Sequence, residues 1–444
     1  MFSCKTSQHF QREDIDTDGL YGFEDSDTTN LGFVPWHELF TDEKLQNLIA
    51  EGLENNPDLQ IAVQRVKEAE AYFGQSKAAL LPSLNARATA GYTRNSESVY
   101  PDGPRETRNY QLGLEAGWEA DIWGKLSSAK RAAYADLLAT DAGQKAVQTR
   151  LIANIANAYY NLTALDTKLA ITKQTVRNRE DVVETMKVLK ESGRVTGAAI
   201  VQSEAARYEA EVILPDIQQQ IRETENMLCL LLGKTPVKIE RNTMSEATVA
   251  SMLKTGVPSQ LLDNRPDIMQ AEYDVISAFE MTNNARTYFY PSLTLTASSG
   301  FVATSLDELL DPASFAANVI GGLAAPVFNK RANTTRLKVS KARQEEALLN
   351  LRYTLLNAGN EVNNALGLYE SAEQKIDLRE QQIGALEKSV EYTRELLNYG
   401  SATYSEVLMA QQSLLGAQLS NVDGHLQQFI AVVSLYRALG GGWR

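Results

Sequence analysis

The residue types that most often carry chemistry are sparse in this sequence, and their spacing keeps them apart. The two cysteines stand at 4 and 229 and the three histidines at 9, 37 and 425. Neither set has the short intervals of a zinc or haem site, and two cysteines are too few for a disulfide framework. No Ser/His/Asp, Gly-rich phosphate or metal constellation supports a hydrolase, so no catalytic residue, metal or cofactor is expected. The eight methionines do not cluster with histidine, which gives no support for copper export. Cys229 falls inside the apolar run Met227–Leu232 at helical spacing and reads as a core residue. Cys4 fits two readings equally: an acylated cysteine whose leader has been removed, or a free thiol at a polar terminus.

Charge bounds the partners. The chain has 444 residues, 43% hydrophobic and 22% charged, enough to bury a substantial core. A net charge of −13 without any Lys/Arg-rich stripe argues against nucleic acid, since phosphate neutralisation needs a basic face. No apolar run approaches the ~18 residues of a membrane-spanning helix, so a membrane crossing would have to be made of strands.

Residues 1–40 read as an acidic arm anchored at Trp36. Helices follow, capped at Thr41 or Asp42 and again beyond Asn56, the second running to about Leu81 before Pro82 breaks it. Residues 83–94 then alternate, with Leu84, Ala86, Ala88, Ala90 and Tyr92 on one face and Asn85, Arg87, Thr89 and Thr93 on the other. Residues 109–121 do the same, with Tyr110, Leu112, Leu114, Ala116 and Trp118 opposite Gln111, Glu115, Glu119 and Asp121. A period of two is a strand, so 83–121 form a hairpin with one apolar and one polar face. From Lys125 the period changes. Val147, Leu151, Ile155, Ala158, Leu162, Leu165, Leu169, Val176, Val183 and Met186 mark a heptad stripe. Roughly 65 residues at ~1.5 Å each make a helix about 100 Å long. It stops at residues 191–197, and a return helix, broken at Pro215, ends in 230–234.

The chain then repeats itself. Pro57, Pro82 and Gly91 match Pro266, Pro291 and Gly300 at a constant offset of 209, while Gly193, Thr196 and Gly233 match Gly400, Thr403 and Gly440 at 207. Chance does not hold register over such a length, so the chain is an internal duplication. Residues 41–235 form the first repeat, with hairpin 83–121 and long helices 125–232. A linker spans 236–262. Residues 263–444 form the second repeat, with strands in 292–325 and long helices in 330–439.

Four strands cannot close a barrel, and open edges facing lipid would leave backbone groups unsatisfied at several kcal/mol each. Either the sheet packs on something in a soluble coiled-coil scaffold, or several chains pool strands of bilayer-crossing length.

Three motifs carry a resemblance. Trp118-Glu119-Ala120-Asp121-Ile122-Trp123-Gly124-Lys125, the segment Arg265-Pro266-Asp267 with Ala271-Glu272 and Tyr290-Pro291-Ser292, and the closing Ala438-Leu439-Gly440-Gly441-Gly442-Trp443 resemble the TolC-like outer-membrane efflux proteins, in particular the OprM/NodT-type lipoproteins. The resemblance implies a mixed α/β membrane protein. Three copies would give four strands each to a twelve-stranded transmembrane β-barrel, continuous with a long periplasmic α-helical barrel. It implies a homotrimer in outer-membrane lipid, extending into the periplasm, that serves as the passive exit duct of a tripartite efflux pump. The partners would be a periplasmic adaptor (membrane fusion) protein and an inner-membrane transporter.

It further implies lipidation at Cys4, adaptor contacts at tip residues Gly193, Arg194, Thr196, Gly400, Ser401 and Thr403, and a periplasmic gate at Tyr404, Glu406, Val407 and Leu408. Each has a plainer reading: the glycines as helix C-caps, Glu406 as a first-turn acid, and the others as helix packing. Trp118, Asp121, Trp123 and Gly124 would form the strand-to-helix joint. The second joint, Pro326-Val327-Phe328-Asn329-Lys330, lacks the glycine, so the two joints should differ in shape.

Overall fold

The computed structural model describes residues 8–12, 17, 19–21, 29–99, 101, 103–244, 255, 256 and 258–444. Cys4 lies outside these residues, as do parts of the arm 1–40 and of the linker 236–262. In chain order the helices are α1 (Trp36–Leu39), α2 (Glu43–Asn55), α3 (Pro57–Ala78), α4 (Lys125–Glu191), α5 (Gly197–Glu211), α6 (Ile213–Leu231), α7 (Leu261–Asn264), α8 (Pro266–Thr287), α9 (Ala332–Asn398) and α10 (Tyr404–Ala438). Strands β1 (Ser83–Arg94) and β2 (Glu106–Ala120) precede α4, and β3 (Ser292–Ala303) and β4 (Phe315–Ala324) precede α9.

These bounds reproduce the duplication. Helix α3 maps onto α8 and β1 onto β3 at an offset of 209, while α4 maps onto α9 and the α5–α6 span onto α10 at 207. The return helix is interrupted only in the first repeat. There Pro215 stands where α10 has Val422, and a proline has no N–H for the carbonyl four residues back. The interruption falls at Val212, three residues earlier than expected, which leaves Pro215 in the first turn of α6 where its missing donor costs least.

The chain divides into two compact units, residues 1–14, 65–141 and 270–351, and residues 15–64, 142–269 and 352–444. The divisions fall inside α3, α4, α8 and α9.

The first unit holds an antiparallel sheet in the order β1-β2-β3-β4. Its register keeps the alternation in phase from strand to strand. Leu84, Ala116, Ala297 and Val319 form one row of the apolar face, and Asn85, Glu115, Ser298 and Asn318 form the adjoining row of the polar face. β2 begins at Glu106, three residues before the expected alternation, because Thr107 and Glu106 pair with Thr93 and Arg94. The apolar face stays bare in the single chain, with Leu84 68% and Val319 70% exposed.

In the second unit the heptad stripe is the core. Leu151, Ile155, Ala158, Leu162, Leu165, Val176, Val183 and Met186 are buried, together with Leu45 and Ile49 of α2. Asp42 caps α2, accepting from the Lys44 and Leu45 amides, and its other oxygen accepts from the Tyr159 hydroxyl at 2.6 Å. The anchor of the preceding arm is Leu39–Phe40, not Trp36. The single turn of α1 buries those two side chains and leaves Trp36 half-exposed, with Phe40 edge-on to Tyr436 at 6.0 Å. Cys229 is buried, as its position in the apolar run suggests, and its thiol lies 3.4 Å from the Val237 amide.

Two repeat-related clasps close this unit. In the first, Asn56 donates to the Leu231 carbonyl at 2.8 Å and caps α3 through the Leu59 amide at 2.9 Å, while Gly233 lies so close to Asn55 that a Cβ would sit 2.3 Å from its carbonyl oxygen. In the second, Arg265 donates to the Ala438 carbonyl at 2.9 Å, and Gly440 abuts Asn264 in the same way, at 2.4 Å. Arg265 also binds Glu361 at 2.9 Å and Asp267 at 2.5 Å. Burial alone would lower its pKa, but the two carboxylates outweigh this and hold it raised. Trp443 locks the same corner by donating to the Asn264 carbonyl at 2.9 Å. Two of the motifs that carried the resemblance are therefore halves of one clasp.

Candidate functional site

Among the described residues, the two strand-to-helix joints and the two helical tips can do more than pack. At the first joint Asp121 caps α4, its two carboxylate oxygens accepting from the amides of Leu126 at 2.9 Å and Ser127 at 2.8 Å. Gly124 turns the chain with φ +76°, a conformation open to glycine because it has no Cβ and rarely adopted by L-residues. Trp123 stacks on Tyr290 with ring centroids 5.0 Å apart and donates to the Pro291 carbonyl at 2.7 Å, tying the joint to the start of β3. Lys125 pairs with Glu119 at 2.9 Å and lies over the Tyr288 ring. Trp118 belongs elsewhere: its indole donates to the Leu80 carbonyl at 3.0 Å, so it braces the approach to β1 rather than the joint.

The second joint makes its turn without glycine. Lys330 and Arg331 take φ +52° and +67° in succession, and this is why α9 starts at Ala332 and not at Lys330. Each such residue carries about 1 kcal/mol of steric strain. Arg336, one turn into α9, lies over the Tyr288 ring at 3.7 Å, and Asn333 donates to the Tyr288 carbonyl. A cleft of 400 Å³ opens here, lined among others by Glu119, Asp121, Trp123, Lys125, Tyr288 and Arg336. The apolar pair Val327–Phe328 projects uncovered, at 100% and 84% exposure.

Both tips end their long helix in the same way. Gly193 and Gly400 each take φ +71°, and paired bonds from Gly193 to Lys190 and Arg194 to Leu189 recur from Gly400 to Leu397 and Ser401 to Leu396. This is the reverse-turn cap that glycine favours, and no atom crowds either Cα, so conformation alone accounts for the glycines. Arg194, Thr196, Ser401 and Thr403 are exposed.

The tips differ in the next turn. Thr403 and Glu406 form a reciprocal capping box, the Glu406 carboxylate accepting from the Thr403 amide at 2.6 Å and from its hydroxyl at 3.0 Å. These bonds, the amide first, hold the exposed carboxylate below its ordinary pKa. The first repeat has Ala199 at that place and Thr196 makes no side-chain cap. Of the four gate residues, Tyr404 and Val407 are buried within the chain, Leu408 is half-buried and Glu406 is exposed.

One residue escaped notice in the sequence. Arg179 of α4 is buried and joins three helices, donating to the Ala206 carbonyl of α5 and to Gln412 of α10 at 2.5 Å, with Glu209 at 3.7 Å. Burial pulls its pKa down against the charge of Glu209. Its signal was available: it stands between Val176 and Val183 on the heptad stripe, a lone charge in an apolar row.

Comparison with known proteins agrees with this architecture. The family model described as outer membrane efflux protein matches residues 48–234 and 257–441, one match for each repeat. The cation efflux system protein CusC of Escherichia coli K12 is 31% identical over 412 residues, 92% of this chain and 88% of that protein. The probable outer membrane lipoprotein SilC of Salmonella typhimurium is 31% identical over 413 residues, with the same coverage. Among solved structures, CusC, reported for its folding and transmembrane channel formation, superposes with a TM-score of 0.89 at 27% identity, covering 99% of this chain and 100% of that one. The VceC outer membrane protein of Vibrio cholerae gives 0.85 at 28%, covering 92% and 98%. With the duplication, the open four-stranded sheet and both matches in register, the chain belongs to the outer membrane efflux protein family.

Proposed function

We propose that three copies of this chain form the outer-membrane exit duct of a tripartite efflux pump, opened at its periplasmic helical tips and working with a periplasmic adaptor and an inner-membrane transporter. The observation that carries the reading is the open sheet. Its strands are 10 to 15 residues long, it has one polar and one bare apolar face, and among the described residues both edges are unpaired. Such a sheet is satisfied in lipid only when copies close it into a barrel, apolar side out. A soluble scaffold would leave that face in water. The duct catalyses nothing; its working parts are a pore, a gate and docking surfaces.

On this reading the exposed residues Gly193, Arg194, Thr196, Gly400, Ser401 and Thr403 meet the adaptor. Glu406 and Leu408 face the constriction, and buried Tyr404 and Val407 hold the hairpin that presents them. Three Glu406 copies would ring the closed pore and favour cations.

The lipid anchor at Cys4 draws support from its neighbours. Residues 8–12 lie along α8, with Arg12 on Glu272, Phe10 on Phe279, and Gln8 hydrogen-bonded to Asn283, so from residue 12 back to residue 8 the chain runs towards the sheet end of α8. The remaining four residues can reach ~13–14 Å further. Cargo is not set by such a duct, and the relatives agree: at 28% to 31% identity they are named for cations, solvents and pyoverdine.

Planar-bilayer recording on purified protein tests the duct reading. Discrete channel conductance from a membrane-extracted oligomer is the expected result; a protein that stays soluble and never conducts would end it.

A further inference from the structure

The trimeric reading leaves open how one copy grips the next, and the sheet's stagger supplies an answer. Across the ladder Ser83 faces Gly117, Gly117 faces Thr296, and Thr296 faces Ile320. Ile320 stands four residues short of the end of β4 at Ala324, so the strand ends step down by four residues across one chain. A barrel whose strands tilt ~35–45° needs a step of about four to six residues for every four strands, given ~3.3 Å per residue along a strand and ~4.8 Å between strands. The stagger therefore matches closure. Carried across the free edge, it sets Ser83 of the next copy level with Ala324 or a position just beyond it.

Beyond those ends both chains leave the ladder, but with Ser83 level with residue 325, one past Ala324, the exposed pair Val327–Phe328 comes level with the turn residues Leu81–Leu80 of the next copy. Both sides are apolar and open: Val327 and Phe328 are almost bare, and Leu81 is 67% exposed. The turn that presents Val327 and Phe328 is held by two successive left-handed residues, Lys330 and Arg331. Strain of that kind persists where neighbouring structure fixes it, and within the single chain nothing covers this pair. We propose that Val327–Phe328 is an intersubunit wedge seated on Leu80–Leu81 of the next copy, fixing the register of β4 against β1 and sealing the seam where barrel passes into helices.

The test is a cysteine pair, Val327→Cys with Leu81→Cys, in the full chain extracted as its native oligomer. Residues opposite one another on adjacent chains fall within the ~7 Å Cα separation that a disulfide spans. Mild oxidation should give a covalent trimer that survives boiling in SDS and collapses on reduction, while each single variant boils to monomer. A conducting trimer without that disulfide would overturn the wedge and leave the channel intact; a monomer would overturn both. As a second measure, Phe328→Asp should lower the temperature at which SDS dissociates the trimer. Leu310→Asp, at an exposed position between β3 and β4, should not. Equal shifts would count against the wedge.

Discussion

In the first repeat the corner where α3 meets the return helix is closed by a neutral side chain, Asn56, on the Leu231 carbonyl. In the second, the equivalent corner is closed by a buried cation, Arg265, on Ala438, balanced by Asp267 and Glu361. The two glycines that permit each approach, Gly233 and Gly440, are shared. The joints diverge as well: Gly124 makes the first bend at little steric cost, whereas Lys330 and Arg331 make the second under strain. Duplication thus kept the backbone path and let the chemistry holding it drift, with the second repeat taking the more highly charged and more strained solutions.

The clasps should separate most. Arg265→Ala leaves two carboxylates without their buried partner and should cost about 3–5 kcal/mol. Asn56→Ala removes one cap and one hydrogen bond, about 1–2 kcal/mol. Thermal unfolding followed by helical circular dichroism measures both, and equal losses would mean that the charge adds nothing to the second clasp.

The joints come next. Gly124→Ala meets no neighbouring atom, so its cost is conformational, about 1–2 kcal/mol. Lys330→Gly should do the opposite and stabilise the single chain by up to about 0.5 kcal/mol, strain relieved less the extra freedom of the unfolded glycine. A destabilised Lys330→Gly would show that the lysine side chain holds the turn.

The tips should differ least in stability and most in conductance. Glu406→Gln keeps a capping side chain but removes the charge, while Glu406→Ala removes both. If the charge shapes the gate, both variants should lose cation preference; if the cap does, only Glu406→Ala should change conductance. The carboxylate's depressed pKa fixes the sign with pH. The stability it adds to the tip is present above the ordinary carboxylate range and is lost as pH falls through the lower, folded value. Wild-type channels should therefore open more readily under acid, whereas Glu406→Ala channels should not respond.

Much of this was legible in the sequence because it is periodic. Alternation at 83–94 and the heptads from Leu151 to Met186 report local geometry, and each maps onto β1 and the buried side of α4. What could not be read joins distant residues or depends on backbone angles. Asn56 with Leu231 and Arg265 with Ala438 are 175 and 173 positions apart. A left-handed Lys-Arg pair has no compositional mark, since neither residue favours that region. Pro215 announced a break, but its position depended on which neighbouring turn could best spare a hydrogen bond.

The central claim is that three copies pool their open sheets into one membrane-crossing barrel. The most direct measurement is the protein mass of the detergent-extracted particle, taken together with its conductance after reconstitution. Three times the 49.0 kDa chain, in a particle that conducts, is the expected result. A stable single-chain particle, soluble without detergent and silent in bilayers, would contradict it.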